Sequence, residues 1–220
     1  MQSRIMNHNP RAIKQQSLSQ MVADELRKRI WIGELNYGER LLETELSTEL
    51  DVSRSSLREA FQTLEYEGLI INKARKGTFV YNFTKEDMEE INELRNLIEV
   101  PALRKTVHHM TAQDFSYLDD ILASMKEEIE AENWYELFNL DMEFHLFLVN
   151  QCGNTRIVKT YGIIQMQIRT FLSQLESFYS ENKSMFTKEH EILVDALKAQ
   201  DEDHVARLAE AHIKQIGSHF

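Results

Sequence analysis

From Thr84 to the C-terminus the apolar residues recur at helical spacing with no stretch of strand-like alternation, which commits that part of the chain to packed helices. Six are predicted, near 85–109, 112–131, 133–151, 154–181, 184–199 and 202–217, parted by short polar stretches such as MTAQD, CGN and SENKS. Thr84 is the expected N-cap of the first, with acidic residues in the turn that follows. Amphipathic helices joined so tightly bury their stripes against one another, so an antiparallel helical bundle is expected. The whole chain has 7 Gly and 2 Pro in 220 residues, too few breakers for a fold rich in turns.

The first part reads differently. Leu18, Met21, Val22, Leu26 and Ile30 share one side of a helix that Gly33 stops. ETELSTEL is short and amphipathic, DVS makes a turn, and RSSLREAFQTLEYEGLI places Leu57, Ala60, Phe61 and Leu64 on one face before Gly68. Two short helices about a tight turn form a helix-turn-helix. In LIINKARKGTFVYNF, two runs of β-branched and aromatic residues flank a basic turn at Gly77, the pattern of a β-hairpin. The chain is therefore expected to be mainly α: a flexible tail over 1–14, a winged helix-turn-helix over 15–82, and a helical domain over 83–220.

Charge divides along the same line. Residues 1–82 carry 12 Lys and Arg against 11 Asp and Glu, and the remainder 13 against 25, so nearly all of the net charge of −11 belongs to the helical part. A near-neutral module can still bind phosphates if its cations gather on one face. A single cysteine, Cys152, excludes an intramolecular disulfide and a multi-cysteine zinc knuckle, as in a reducing compartment. The N-terminal residues have no apolar core like that of a secretory signal, and no run approaches about 20 apolar residues. A cytoplasmic protein without membrane partners is expected.

Arg54, Ser55, Ser56 and Arg58 leave the first turns of the second short helix, where guanidinium groups suit guanine edges and hydroxyls suit phosphate oxygens. Lys73, Arg75 and Lys76 at the hairpin tip would meet the neighbouring backbone or minor groove. A solvated charged face is the plain alternative. The run GELNYGERLLETELSTELDVSRSSLREAFQTLEYEGLI followed by KARKGTFV resembles the winged-helix domain of the GntR family of bacterial transcription regulators over residues 15–82. The resemblance implies that Arg54 and Arg58 are recognition-helix arginines, that Ser53, Ser55 and Ser56 supply phosphate- and base-contacting hydroxyls, and that Lys76 and Gly77 form the wing tip. Two positions depart from the pattern. Asp51 stands where the turn usually has Gly, and Thr44 stands where several relatives have another DNA-contacting Arg.

In the helical domain, polar residues interrupt three apolar stripes. Trp134, Phe138, Asp141, His145 and Leu148 share one face; Phe186, His190, Leu193 and Leu197 share another; Val205, Leu208, His212 and Ile216 a third. One inward histidine is most often a satisfied core residue. A buried carboxylate with three imidazoles is different, because one Asp cannot compensate all three by hydrogen bonding. A divalent cation can use all four, with Asp141 and His145 chelating from one helix face at i, i+4. Zinc suits this donor set best, with nickel, manganese or cobalt as alternatives, one ion per chain. The sequence D-x-x-x-H before GN, then EH, then AHI resembles the metal-binding FCD effector domain of the FadR branch of the same family, over residues 85–217. Asp141, His145, His190 and His212 fall on its four ligand positions. Six helices rather than seven would be similar to its VanR-type subgroup.

Arg95 is also inward, in the stripe Ile91, Arg95, Ile98, Ala102. It either pairs with Glu93 or Glu99, or grips an effector carboxylate, as the resemblance implies for an arginine on this helix. Gln165 and Arg169 on the fourth helix are weaker candidates for the same effector. His108 and His109 end a helix, His204 opens one, and His8 and His219 lie in tails. These readings predict a transcription repressor, not an enzyme. It would be a homodimer on a palindromic double-stranded operator, with affinity set by a small organic acid bound beside the metal. A metal-dependent hydrolase, or a metal with a purely structural role, are the alternatives.

Overall fold

The computed structural model describes residues 16–217; the expected tail over 1–14, and with it His8, lies outside the described residues, as does His219. Helix α1 (Leu18–Trp31) begins at Ser17, whose hydroxyl accepts from the Gln20 amide. Strand β1 (Arg40–Leu41), helix α2 (Glu43–Glu49) and helix α3 (Arg54–Tyr66) follow, then strands β2 (Ile70–Lys73) and β3 (Gly77–Val80). Leu57, Ala60, Phe61 and Leu64 of α3 are buried as expected, against Val22, Ala23, Leu26 and Ile30 of α1. Leu18 and Met21, expected on that inner side, are instead half-exposed. A buried Arg27 on α1 forks onto Glu67 at the end of α3, with Nε and Nη2 donating at 3.0 and 2.8 Å, which fixes the two helices by a bidentate pair.

The wing is larger than a hairpin. β1 pairs antiparallel with β3, Arg40 opposite Phe79, giving a three-stranded sheet in the order β1-β3-β2. Two residues carry too little pattern to announce a strand. At the tip, Lys73 lies opposite Gly77, and Gly77 has φ +107. The positive φ favours glycine, and a Cβ there would come within 3.0 Å of the Arg40 guanidinium, which would have to shift aside. Between α2 and α3 the turn residue Asp51 sits at φ +51, the left-handed conformation that Gly adopts more readily. Asp51→Gly is expected to raise stability by up to about 1 kcal/mol. Asp51→Val should lower it by about 1–2 kcal/mol, read as shifts of the urea midpoint at constant m-value.

The helical domain has seven helices among the described residues, not six: α4 (Lys85–Thr106), α5 (Ala112–Glu130), α6 (Trp134–Asn150), α7 (Thr155–Gln174), α8 (Glu176–Glu181), α9 (Lys183–Lys198) and α10 (Glu202–Gly217). The predicted helix 154–181 breaks at Leu175, which has φ −97 and ψ 9. No Gly or Pro marks the break. Its cause is tertiary: the pivot swings Tyr179 into edge contact with Phe138 and Phe186, with ring centroids 5.9 and 5.0 Å away. The seventh helix removes the helix count on which likeness to the VanR-type subgroup rested. Reciprocal capping boxes, Thr84 with Asp87 and Thr111 with Asp114, start α4 and α5.

Two apolar clusters result. One runs from Val22 to Val80, the other from Phe83 to Ile213. They meet where α7 lies beside the winged helix: Met166 packs on the first cluster, and Trp31 Nε1 donates to Thr170 Oγ1 at 2.9 Å. No helix among the described residues is long and apolar enough to cross a membrane.

Candidate DNA-binding face and metal centre

Ser53 caps α3, its hydroxyl accepting from the Ser56 amide at 3.1 Å and lying 2.8 and 2.9 Å from the Ser55 and Ser56 hydroxyls. The hydroxyl expected to meet phosphate therefore also holds the helix start, leaving other amides of the first turn pointing outward. Arg54, Ser55 and Arg58 are exposed on the same turns, with Ser56 half-buried behind them. Arg58 Nε is held 2.8 Å from Glu43 Oε2, which leaves both its terminal nitrogens directed elsewhere. Lys73, Arg75 and Lys76 are exposed at the wing tip. Arg40, which the sequence pattern did not single out, joins them through its approach to Gly77.

In the bundle, the four inward polar residues converge. Asp141 and His145 project from α6, His190 from α9 and His212 from α10, and one ligand atom from each lies within 4.8 Å of all the others. His190 Nε2 is 2.9 Å from Asp141 Oδ1, His145 Nε2 is 3.1 Å from His212 Nε2, and His145 Nε2 is 3.9 Å from Asp141 Oδ1. Ligand atoms about 2.0–2.1 Å from a tetrahedral ion stand about 3.3 Å apart. The observed separations bracket that value.

The opposite ring edges explain why these nitrogens face inward. His190 Nδ1 is 2.7 Å from the Phe186 carbonyl oxygen, and His212 Nδ1 is 2.8 Å from Glu189 Oε2. His145 Nδ1 lies 2.6 Å from Glu99 Oε1, a close contact off the ideal N–H line. An acceptor at Nδ1 of His190 and of His212 fixes each ring and turns its Nε2 toward the centre, the arrangement that metal-ligating histidines use. Burial pushes the His212 imidazole down to about 4, against the pull of Glu189, so it is neutral near pH 7. Burial would also lower His190, but Asp141 outweighs it and raises the pKa. Burial would raise Asp141, and the His190 contact and neighbouring imidazoles reverse this, leaving it at about 2. Asp141 Oδ2 and His190 Nε2 are buried without a hydrogen-bond partner. Such orphans are costly in a protein interior, and a cation bound between them would satisfy both. The donor set fits a divalent ion.

Arg95 and Glu99, both fully buried, extend the cluster. Arg95 Nε donates to Glu99 Oε2 at 3.2 Å, and the Tyr161 hydroxyl donates to the same oxygen at 3.0 Å. Burial opposes both charges. Glu99 nevertheless raises the Arg95 pKa, and Arg95 with His145 holds Glu99 well below the usual carboxylate range. Arg95 thus pairs with Glu99, one of its two expected partners, yet Nη1 and Nη2 have no partner. Glu99 as the orienting group for His145 escaped the sequence reading, although its i, i+4 relation to Arg95 was visible. Beside the ligands lies a small pocket walled by Leu172, Tyr179, Phe186, Glu189 and Gln215.

Two other effector candidates are placed differently from expectation. Gln165 is buried and donates to the Met142 carbonyl, so its amide N–H group is engaged. Arg169 spends all three nitrogens elsewhere: Nε on Asn139 Oδ1, Nη1 on Ser173 Oγ and Nη2 on the Tyr135 carbonyl, at 3.0, 2.6 and 2.9 Å. Burial pushes its pKa down to about 10, which leaves it charged at neutral pH. His108 and His109 follow α4 rather than ending it, and His108 sits 3.3 Å from Glu202 on the surface.

A winged helix on a helical domain with a buried polar centre is the architecture of a two-domain DNA-binding regulator. Residues 18–80 match the gntR family of bacterial regulatory proteins and residues 90–215 match the FCD domain, so the chain belongs to the GntR family and carries an FCD domain. It is 32% identical to the Nta operon transcriptional regulator of Aminobacter aminovorans over 81% of this chain and 82% of that protein. It is 28% identical to the gluconate operon transcriptional repressor of Bacillus licheniformis over 92% and 84%. Among solved structures, a putative transcriptional regulator GntR from Rhodococcus sp. RHA1 has the same fold, with TM-score 0.78, 24% identity, and 91% of this chain and 95% of that one covered. E. coli McbR/YncC gives 0.75, 22%, 90% and 94%. The protein is a DNA-binding transcription regulator, and the hydrolase alternative is set aside, because these families and relatives are regulators and not enzymes.

Proposed function

We propose that the protein is a repressor whose affinity for a palindromic operator is set by a small carboxylate bound beside one divalent ion. Asp141, His145, His190 and His212 hold the ion, zinc in first place, with nickel, manganese or cobalt as alternatives. The observation that carries this reading is the pairing of the ligand cluster with two unpartnered, buried Arg95 nitrogens. Asp141 and Glu99 are balanced by the two fully buried guanidiniums, Arg95 and Arg169, so a dication adds an excess of positive charge that an anionic ligand offsets. When bound, the ion supplies a Lewis-acid site for a carboxylate oxygen. Gluconate, for which one relative's operon is named, belongs to this anion class. Two chains, placing two α3 helices one or more helical turns apart, match a palindrome. The reading puts the protein in the cytoplasm, with its operator.

A thermal-shift series of small mono-, hydroxy- and dicarboxylates tests it on metal-loaded protein. A ligand at 100 times its dissociation constant stabilises by about 2.7 kcal/mol, a rise of roughly 5–10 °C for a chain of this length. The rise should vanish in Arg95→Lys, which keeps the charge opposite Glu99 but loses the fork. If no carboxylate stabilises the loaded wild type, the metal is purely structural.

A further inference from the structure

Arg169 lies where the two domains touch. Its guanidinium is 1% exposed and stacks over three rings: Trp31 of α1 at 4.7 Å, and Tyr135 and Phe138 of α6 at 5.3 Å each. Its three nitrogens are tied to Asn139, Ser173 and the Tyr135 carbonyl, so the plane cannot turn independently of α6 and α7. The same α6 carries Asp141, two residues beyond Asn139. Phe138 also meets Phe186 at 6.0 Å and Tyr179 at 5.9 Å, and both of these wall the pocket. Phe186 in turn stacks on His190 at 5.4 Å. Beyond Arg169, Trp31 Nε1 and the Tyr37 hydroxyl donate to Thr170 Oγ1 and its carbonyl at 2.9 and 3.2 Å, so the winged helix is clamped to the turn of α7 that carries Arg169.

We infer that Arg169 is a positioning residue that couples the ligand pocket to the DNA-binding domain, with Phe138 on its sensing side and Trp31 on its reading side. Close-packed rings pass on a displacement of the pocket wall instead of absorbing it, and a guanidinium held at three points transmits it as a plate. A merely structural Arg169 would stabilise the domain contact equally in both ligand states and leave the coupling unchanged, since coupling is the difference between states. The inference rests on the reading that the cluster binds a divalent ion.

The test uses the full chain, stripped by chelator or loaded with Zn²⁺ or Ni²⁺, on a duplex recovered by selection from a random pool. Wild type is expected to change its duplex dissociation constant between the two forms by roughly 5-fold or more, the scale of allosteric coupling. In Arg169→Lys and Arg169→Gln the ratio should fall to within about 2-fold of unity at unchanged metal stoichiometry. Trp31→Phe, which keeps a ring but loses the Nε1 donor, should lower the ratio by a second route should the Arg169 variants fail to fold. A readout without DNA comes from Trp134→Phe, which leaves Trp31 as the one tryptophan. Its emission should shift on metal loading with Arg169 present and not with Lys in its place. A ratio and an emission response that survive these substitutions overturn the coupling role. Full metal binding by wild type with neither response overturns it too while leaving the metal site intact, whereas absence of bound metal brings down the metal reading and the inference with it.

Discussion

Replacing His190 and His212 together by Ala is expected to reduce bound divalent metal from about one ion per chain to near zero by mass spectrometry of protein purified without added chelator. The two residues come from α9 and α10, while Asp141 and His145 share α6. Two ligands from one helix cannot close a tetrahedral site, so the loss should be nearly complete instead of half. Chelation should lower the melting temperature of wild type, by roughly 4 kcal/mol of stability where free metal stood at 1,000 times its dissociation constant, and leave the double variant unmoved. Removing an imidazole also exposes Asp141 as an uncompensated buried charge, so the variant itself is expected to be less stable. Asp141→Asn separates the two effects: it keeps the shape, removes the charge, and should still weaken metal binding. Equal metal content in wild type and the double variant would end the assignment of this centre.

The four residues were legible because burial in helices is periodic. An acid or imidazole on an apolar stripe is visible from spacing alone, and three stripes interrupted once or twice each point to one place. What spacing does not carry is the identity of the neighbour across the bundle. Glu99 and Glu189 face His145 and His212 because of how α4, α6, α9 and α10 pack; spacing marks Glu99 only as a partner for Arg95 and does not mark Glu189. Arg169 illustrates the same limit from the other side: nothing in its spacing announces the Trp31 ring that the docked winged helix sets beside it. The break at Leu175 was hidden because aromatic packing, not a breaker residue, makes it. By contrast, the helix-turn-helix was readable almost entirely, since caps, turn residues and the α3 stripe are local.

Locality also shapes the expected behaviour of the reading head. Arg54, the first residue of α3, is exposed beside outward amides, so Arg54→Ala should cost about 1–3 kcal/mol on the best duplex and much less on a random one. Discrimination between the two duplexes falls accordingly. Lys76 stands at the wing tip on a turn closed by its own amide to the Lys73 carbonyl at 2.9 Å, with no rigid fork to present to a base edge. Lys76→Ala is therefore expected to weaken both duplexes alike and to reduce the slope of log affinity against log salt by about 1. Quantitative gel shifts at several salt concentrations read both effects on one protein preparation. Equal losses for Arg54→Ala on selected and random duplexes would mean that Arg54 meets only phosphate. The burden of base reading would then pass to Arg58, whose Nε is fixed by Glu43 while its terminal nitrogens form the pair a guanine edge accepts.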